Sequence, residues 1–368
     1  MKTLFSNLVT LRKFDWVVLM LALVLVAIGL SALYSIDLSR GDTLTFFPTQ
    51  LTALALGVMV FFIATAFHSS FYQASARLSY VICWLLLLAV LFFGETIRGT
   101  RGWFQIFGLS FQPAELAKVG LILFSAWWIE FQGRRFDRWQ FVLTSGFFTL
   151  MLVLLVLFQP DLGSAMILIG IWFGLLFLTG VKKRYIALLL ILFAIVGSVG
   201  WAFVLQDYQK ERFLTFADSS RDPLGAGYNV RQSVIAIGGG QFLGRGLGFG
   251  SQSQLHFLPE AQTDFVFSVI AEELGFAGAF TVLTLYFLLL WRLLVIAKNA
   301  ESDFGSYAIL GIILMFFLQI LVNVGGATGF LPITGVTLPF LSYGGSSLLI
   351  NFLLLGIVEC LVRCRQST

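Results

Sequence analysis

Charge is scarce in this chain. Only 42 of its 368 residues are charged, 11%, against roughly 25% in a typical soluble domain. Histidine is nearly absent, and His68 and His256 stand so far apart that a histidine-rich metal site is excluded. Cysteine is as rare: Cys83, Cys360 and Cys364 have the spacing of neither a disulfide framework nor a metal site. Apolar side chains are abundant instead, at 58% of residues with 40 phenylalanines. A soluble globule has too little interior to hide that much apolar surface. The composition excludes a disordered chain and a secreted disulfide scaffold, and it argues against a soluble enzyme. It describes an integral membrane protein with several spans.

Ten apolar runs are long enough to cross ~30 Å of hydrocarbon as helices. They cover about 16–36, 47–67, 78–94, 111–131, 140–158, 162–180, 185–205, 266–291, 304–329 and 342–362. No lipid-facing strand pattern is visible, so helices are the expected spanning element. The expected fold is a single all-α polytopic membrane domain over residues 1–368. The first run follows Lys2, Arg12 and Lys13 but lacks a small-residue cleavage site, so it reads as a retained span.

The basic residues set the orientation. With the N-terminus in the cytoplasm, the inner side holds Lys2, Arg12, Lys13, Arg77, Arg134, Arg135, Arg138, Lys182, Lys183, Arg184, Arg292, Lys298, Arg363 and Arg365. The short outer loops hold only Arg40, Arg98 and Arg101. Both termini are therefore expected inside. Anionic lipid headgroups suffice as partners for the inner basic clusters, and no nucleic acid is implied. One connection is exceptional: residues ~206–265, between the seventh and eighth runs, form an outer segment rich in charge and glycine. Within it, 228–237 fits a short helix at the membrane surface. No internal repeat relates the two halves, which weakens a transporter reading.

Five stretches carry chemistry. In Gln112-Pro-Ala-Glu-Leu-Ala-Lys118, Pro113 suits the first helical position, and Glu115 and Lys118 share a face. They form either a pair facing an internal cavity or a dipole-favoured Glu beside a snorkelling Lys. Gln159-Pro-Asp-Leu-Gly-Ser-Ala165 is a tight outer turn, with Asp161 as helix cap or site residue. Leu258-Pro-Glu260 leads through Gln262-Thr-Asp-Phe265 into Glu272-Glu-Leu-Gly275. Asp264 ends the long loop where a span begins, as a cap or as a shielded, proton-accepting carboxylate. Glu272 and Glu273 lie about two turns on, and at least one must face the bundle interior. Gly238 to Gly250 encloses Arg245; it fits a phosphate-holding loop or a flexible one, without a nucleotide-binding pattern. Asn323 to Ser347, with Pro332, Pro339 and Ser342, interrupts apolar sequence. It reads equally as cavity-lining irregular backbone or as close helix packing.

Together these stretches resemble the family of shape, elongation, division and sporulation proteins, the RodA and FtsW proteins. The matching residues are Gln112 to Lys118, Pro160 to Gly163, Leu258-Pro-Glu260 with Thr263-Asp-Phe265, Glu272 to Gly275, and Leu338 to Ser347. The resemblance covers nearly the whole chain. It implies a peptidoglycan glycosyltransferase that polymerises lipid II on the outer face of the bacterial cytoplasmic membrane. Such a protein works with a class B penicillin-binding protein that supplies the transpeptidase. The family's invariant Asp maps onto Asp264, and its intramembrane Glu and Lys onto Glu115 and Lys118. This chain has Gln262 where the family customarily has His, which questions any proton-shuttling role at that neighbour. Ser251-Gln-Ser-Gln254 looks more like the elongation branch than the division branch.

The implied reaction needs a base for the attacking sugar hydroxyl and positive charge for the departing diphosphate. Asp264 is the expected base. Arg101, Arg231, Arg245 and Lys118 are candidates near the diphosphate, and Asp161, Glu260, Glu272 and Ser342 are further candidates for the cavity. No cofactor is required, although a Mg or Mn ion would fit beside the diphosphate. The competing readings are a lipid II flippase, a division-specific polymerase and a non-catalytic scaffold for the penicillin-binding protein.

Overall fold

The computed structural model describes residues 14–41, 44–97, 99–106, 109–133, 136, 138–203, 210 and 226–364. Lys2, Arg12, Lys13, Arg98, Arg134, Arg135 and Arg365 of the orientation argument lie outside the described residues. So do Glu211, Arg212, Asp218, Arg221 and Asp222 of the long segment.

The helices are α1 (Trp16–Ser39), α2 (Phe46–Ala66), α3 (Ser69–Phe93), α4 (Pro113–Phe131), α5 (Trp139–Leu157), α6 (Leu162–Leu178), α7 (Lys183–Phe203), α8 (Ala226–Gly239), α9 (Ser251–Gln254), α10 (Val266–Lys298), α11 (Asp303–Ala327) and α12 (Gly345–Cys364). Each expected apolar run falls on one of them. Among the described residues eight helices are long and apolar enough to cross a membrane, and α6 is a shorter apolar one. Helix α4 has comparable length but carries Glu115, Lys118 and Glu130. The chain is a polytopic helical membrane protein.

Three features depart from the sequence expectation. Helix α3 begins nine residues before the expected run at 78. Its polar first turns are held by packing: Tyr72 is buried and donates to Ala64 O at 2.7 Å. Second, the fold is not wholly α. Strands β1 (Glu95–Ile97), β2 (Thr100–Ile106) and β3 (Leu109–Phe111) form a small antiparallel sheet in the order β1-β2-β3. Glu95 pairs with Trp103 and Phe104 with Phe111. The segments are too short to announce a two-residue period. Third, α10 is broken at Gly275, whose φ of 69° and ψ of −167° are not helical. The portion after the break, 276–298, is ~35 Å long and alone suffices to span hydrocarbon. Residues 266–274 form a separate arm that runs from Asp264 to the break.

Between lipid-exposed helices there is little hydrophobic driving force, so close approach of backbones matters. Helix α4 sits centrally, against α3, α6, α11 and α12. A Cβ at Gly120 would lie 2.6 Å from Cys83 Sγ, and one at Gly311 would lie 2.9 Å from Ile122. Gly57 similarly admits Phe352, and Gly356 lies against Phe61 O. Helices α4 and α11 run antiparallel: Ile122 meets Gly311, and Glu130 Oε1 accepts from Phe304 N at 3.4 Å. That register puts Lys118 level with Met315 and Glu115 level with about Leu318. At the opposite end of the bundle from Asp264, Arg292 of α10 pairs with Asp15 at 2.7 Å. Asp15 N in turn donates to Glu359 of α12 at 2.9 Å.

Candidate active site

Asp264 stands where the turn after α9 enters the α10 arm. The turn is built on Glu260, whose φ of 53° places it in the left-handed region. Its carbonyl accepts from Thr263 N at 3.1 Å and Asp264 N at 3.2 Å. Its carboxylate accepts from Gln262 Nε2 and Thr263 Oγ1, both at 3.2 Å. Glu260 thus shapes the turn from within.

Three successive carbonyls are then tied down from other elements. Gln262 O accepts from Tyr343 N at 2.8 Å. Thr263 O accepts from Ser342 Oγ at 2.6 Å. Asp264 O accepts from Asn323 Nδ2 at 3.2 Å, and the same amide donates to Val336 O at 2.8 Å. Ser342 is held in turn, since its Oγ accepts from Leu338 N at 2.9 Å. Gln50 of α2 bridges Ser342 O and Gly344 N, each at 3.1 Å. The irregular segment between α11 and α12 is therefore a scaffold around the peptide of Asp264. It also packs closely: a Cβ at Gly163 would lie 2.6 Å from Thr334 O, and one at Gly29 would lie 2.6 Å from Leu341 O. Both readings of that segment hold at once.

Asp264 itself is half-buried and lines a small cleft with Phe265, Asn323, Gly326, Ile333, Thr334, Gly335 and Val336. The capping position of the arm falls to Phe265, not to Asp264. Gln262, in the place of the family's customary His, links Arg40 Nη2 at 3.3 Å to Glu260 at 3.2 Å.

Glu115 and Lys118 are paired as their spacing suggests, Nζ to Oε1 at 2.7 Å, and both are buried. Glu115 Oε2 has no hydrogen-bond partner among the described residues. By register with Asn323 the pair lies roughly 10 Å further into the bundle than the Asp264 carbonyl.

The remaining candidates take other positions. Asp161 caps α6, accepting from Ser164 N at 2.9 Å and Ser164 Oγ at 2.7 Å. It also accepts from Gln112 Nε2 at 3.1 Å, which joins α6 to the start of α4. Arg101 donates to Gly94 O at 3.2 Å and Phe92 O at 3.0 Å. A cation there satisfies the last carbonyls of α3. Arg231 is exposed on α8, the short helix expected over 228–237. Arg245 is exposed and bonds Gly239 O at 3.1 Å and Ser251 Oγ at 2.8 Å.

Glu272 and Glu273 are both buried, and both hold the glycine-rich loop. Glu272 accepts from Gln252 N at 2.8 Å, Ser253 N at 3.1 Å and Ser251 Oγ at 3.4 Å. Glu273 accepts from Ser35 Oγ of α1 and from Gly248 N at 3.3 Å. The loop in turn repairs the break in α10. Arg245 N and Gly246 N donate to the carbonyls of Glu272 and Glu273 at 3.0 and 2.9 Å. Phe276 N and Ala277 N donate to Gln241 O and Phe242 O at 2.8 and 3.0 Å. Irregular backbone among apolar helices needs such internal partners.

Sequence reasoning did not single out Gln50, Asn323 or Thr334 as site residues. Gln50 and Asn323 are uncharged polar groups buried in apolar helices, and such groups are held by partners. That was the available signal. Among the described residues no group of three or more His, Cys, Asp or Glu side chains converges to hold a metal ion.

A buried ion pair, an aspartate with its backbone fixed at a cleft, and a broken helix leading away from it mark a polytopic membrane protein with a candidate site at one end of its bundle. The profile of the FtsW, RodA and SpoVE family, described as cell cycle protein, matches residues 12–367. The chain belongs to this family. It is 38% identical over 340 residues to the peptidoglycan glycosyltransferase MrdB of Escherichia coli (strain K12), covering 91% of this chain and 90% of that one. It is 34% identical over 355 residues to stage V sporulation protein E of Bacillus subtilis (strain 168), covering 94% and 95%. Among solved structures, a chain from a peptidoglycan synthase complex that coordinates polymerization and crosslinking superposes with a TM-score of 0.82 at 35% identity, covering 96% and 99%. The rod shape determining protein RodA of Thermus thermophilus superposes with a TM-score of 0.73 at 32% identity, covering 96% and 98%.

Proposed function

We propose that this chain is a peptidoglycan glycosyltransferase that polymerises lipid II with Asp264 as its general base. The carrying observation is the restraint on Asp264. Its own carbonyl and the two before it are each bonded by a different group, Tyr343 N, Ser342 Oγ and Asn323 Nδ2. A base held in place before substrate arrives loses little freedom at the moment of reaction.

In this reading a sugar hydroxyl of the acceptor lies in the cleft beside Asp264. The carboxylate takes the hydroxyl proton as the oxygen attacks the anomeric carbon of the donor. The bond to the diphosphate breaks, and its electron pair leaves with the diphosphate. Direct displacement inverts the anomeric centre. Of the cationic candidates, Arg101 is engaged on the end of α3, and Lys118 lies deeper with Glu115. Arg231 is exposed on α8, which adjoins the arm through Ser233 and Ser268 at 2.6 Å, but it stands two residues from Ser233 and so on another side of that helix. A magnesium or manganese ion enters only as a companion of the donor diphosphate.

The excess of basic residues on the expected inner side supports an active site facing outward from the cytoplasmic membrane. The kinship with a chain from a synthase complex supports a class B penicillin-binding protein as partner. The Ser251–Gln254 stretch supports a role in elongation. The test is incubation of the purified chain and such a partner with labelled lipid II. Glycan polymer from the native chain and none from Asp264→Ala supports the reading; polymer from both removes Asp264 from the chemistry.

A further inference from the structure

Asn323 uses both of its amide hydrogens, one on Asp264 O and one on Val336 O. This fixes the orientation of the amide, because the flipped form would press Oδ1 against two carbonyl oxygens. Asn323 Oδ1 is therefore an acceptor, and it is buried with no hydrogen-bond partner among the described residues. The residue is 5% exposed and lines the cleft of Asp264. Thr334 lines the same cleft, and its Oγ1 is likewise buried and unpartnered. Two such oxygens lining one cleft with a carboxylate call for hydrogen-bond donors, from a water or from a ligand that displaces it.

We infer that Asn323 Oδ1 and Thr334 Oγ1 form a subsite for a hydroxyl or amide N–H of the acceptor saccharide, adjacent to the hydroxyl that reacts. The inference rests on the reading of Asp264 as base. Holding a neighbouring donor group turns the reacting hydroxyl towards the carboxylate and rejects saccharides that lack that group. Asn323 acts twice: its NH2 positions the backbone of Asp264, and its oxygen binds substrate. The Thr334 backbone is set independently, with its carbonyl packed on Gly163.

The experiment compares Thr334→Val, which keeps the side-chain shape, with Thr334→Ser, which keeps the hydroxyl. Both are assayed for polymerisation across a range of lipid II concentrations, with Asp264→Ala alongside. Partner binding serves as the check on folding. The expected result is a fall in kcat/KM of about tenfold for Thr334→Val, carried mainly by KM, and recovery to near the native value for Thr334→Ser. Native behaviour of Thr334→Val with Asp264→Ala inactive overturns the subsite and leaves the base assignment standing. An equal loss in both Thr334 variants assigns the effect to packing and also overturns it. Restoration of Thr334→Val by excess magnesium would make the site a cation site instead. An active Asp264→Ala removes the reading of the base and the subsite with it.

Discussion

Gly275 lies against Gly244, backbone to backbone, at the point where α10 breaks. A Cβ at Gly275 would also lie 2.6 Å from Phe242 O, and both glycines have positive φ, 69° and 83°. Neither a side chain nor an ordinary backbone conformation is tolerated there. Gly275→Ala is expected to destabilise the protein by about 1–3 kcal/mol. Thermal unfolding in detergent measures it, and an unchanged midpoint would show that the loop and the break are not interlocked.

Glu272 holds the loop from the other side. Removing its carboxylate leaves Gln252 N and Ser253 N without their acceptor. Glu272→Ala should therefore raise amide hydrogen exchange over 250–254 while α4 and α11 stay protected. Glu272→Gln, which retains one acceptor oxygen, should fall between. Uniform exchange across the bundle in Glu272→Ala would instead mark a global role.

The Glu115–Lys118 pair predicts an asymmetry. Lys118→Met leaves a buried carboxylate uncompensated and should cost about 3–5 kcal/mol. The double change Glu115→Gln with Lys118→Met should cost clearly less. A double-mutant cycle on unfolding midpoints reads the difference, and simple additivity would mean that the two charges are not coupled.

Arg101 provides a contrast. Its bonds to Gly94 O and Phe92 O occupy it on the end of α3. Arg101→Ala should leave the dependence of polymerisation on lipid II concentration unchanged. A raised KM would return Arg101 to the diphosphate.

Much of this was legible in the sequence because apolar runs and isolated charges are strong signals in a membrane protein. The spacing of Glu115 and Lys118 announced their pairing, and Asp264 stood out at a span edge. Asp161 allowed a cap reading, and it does cap α6. The break at Gly275 was hidden because 266–291 reads as one spanning run despite Glu272 and Glu273. Its cause lies some thirty residues earlier, in the glycine loop that donates to the freed carbonyls. For the same reason the sequence required only that at least one of Glu272 and Glu273 face the bundle interior, and both do. Their partners, Ser35 and residues 248–253, come from elsewhere in the chain. Strands β1 to β3 were too short to show a period. Asn323 was visible, with Gln319, as a side-chain amide in the apolar α11, but its link to Asp264 spans 59 residues.

In the proposed mechanism the carboxylate of Asp264 takes the proton of the attacking hydroxyl. The most direct measurement is the initial rate of lipid II polymerisation by Asp264→Asn, which keeps shape but cannot accept that proton, in complex with its partner and shown to be folded. A loss of about a hundredfold to ten-thousandfold is expected. Polymerisation at the native rate would show that Asp264 is not the base.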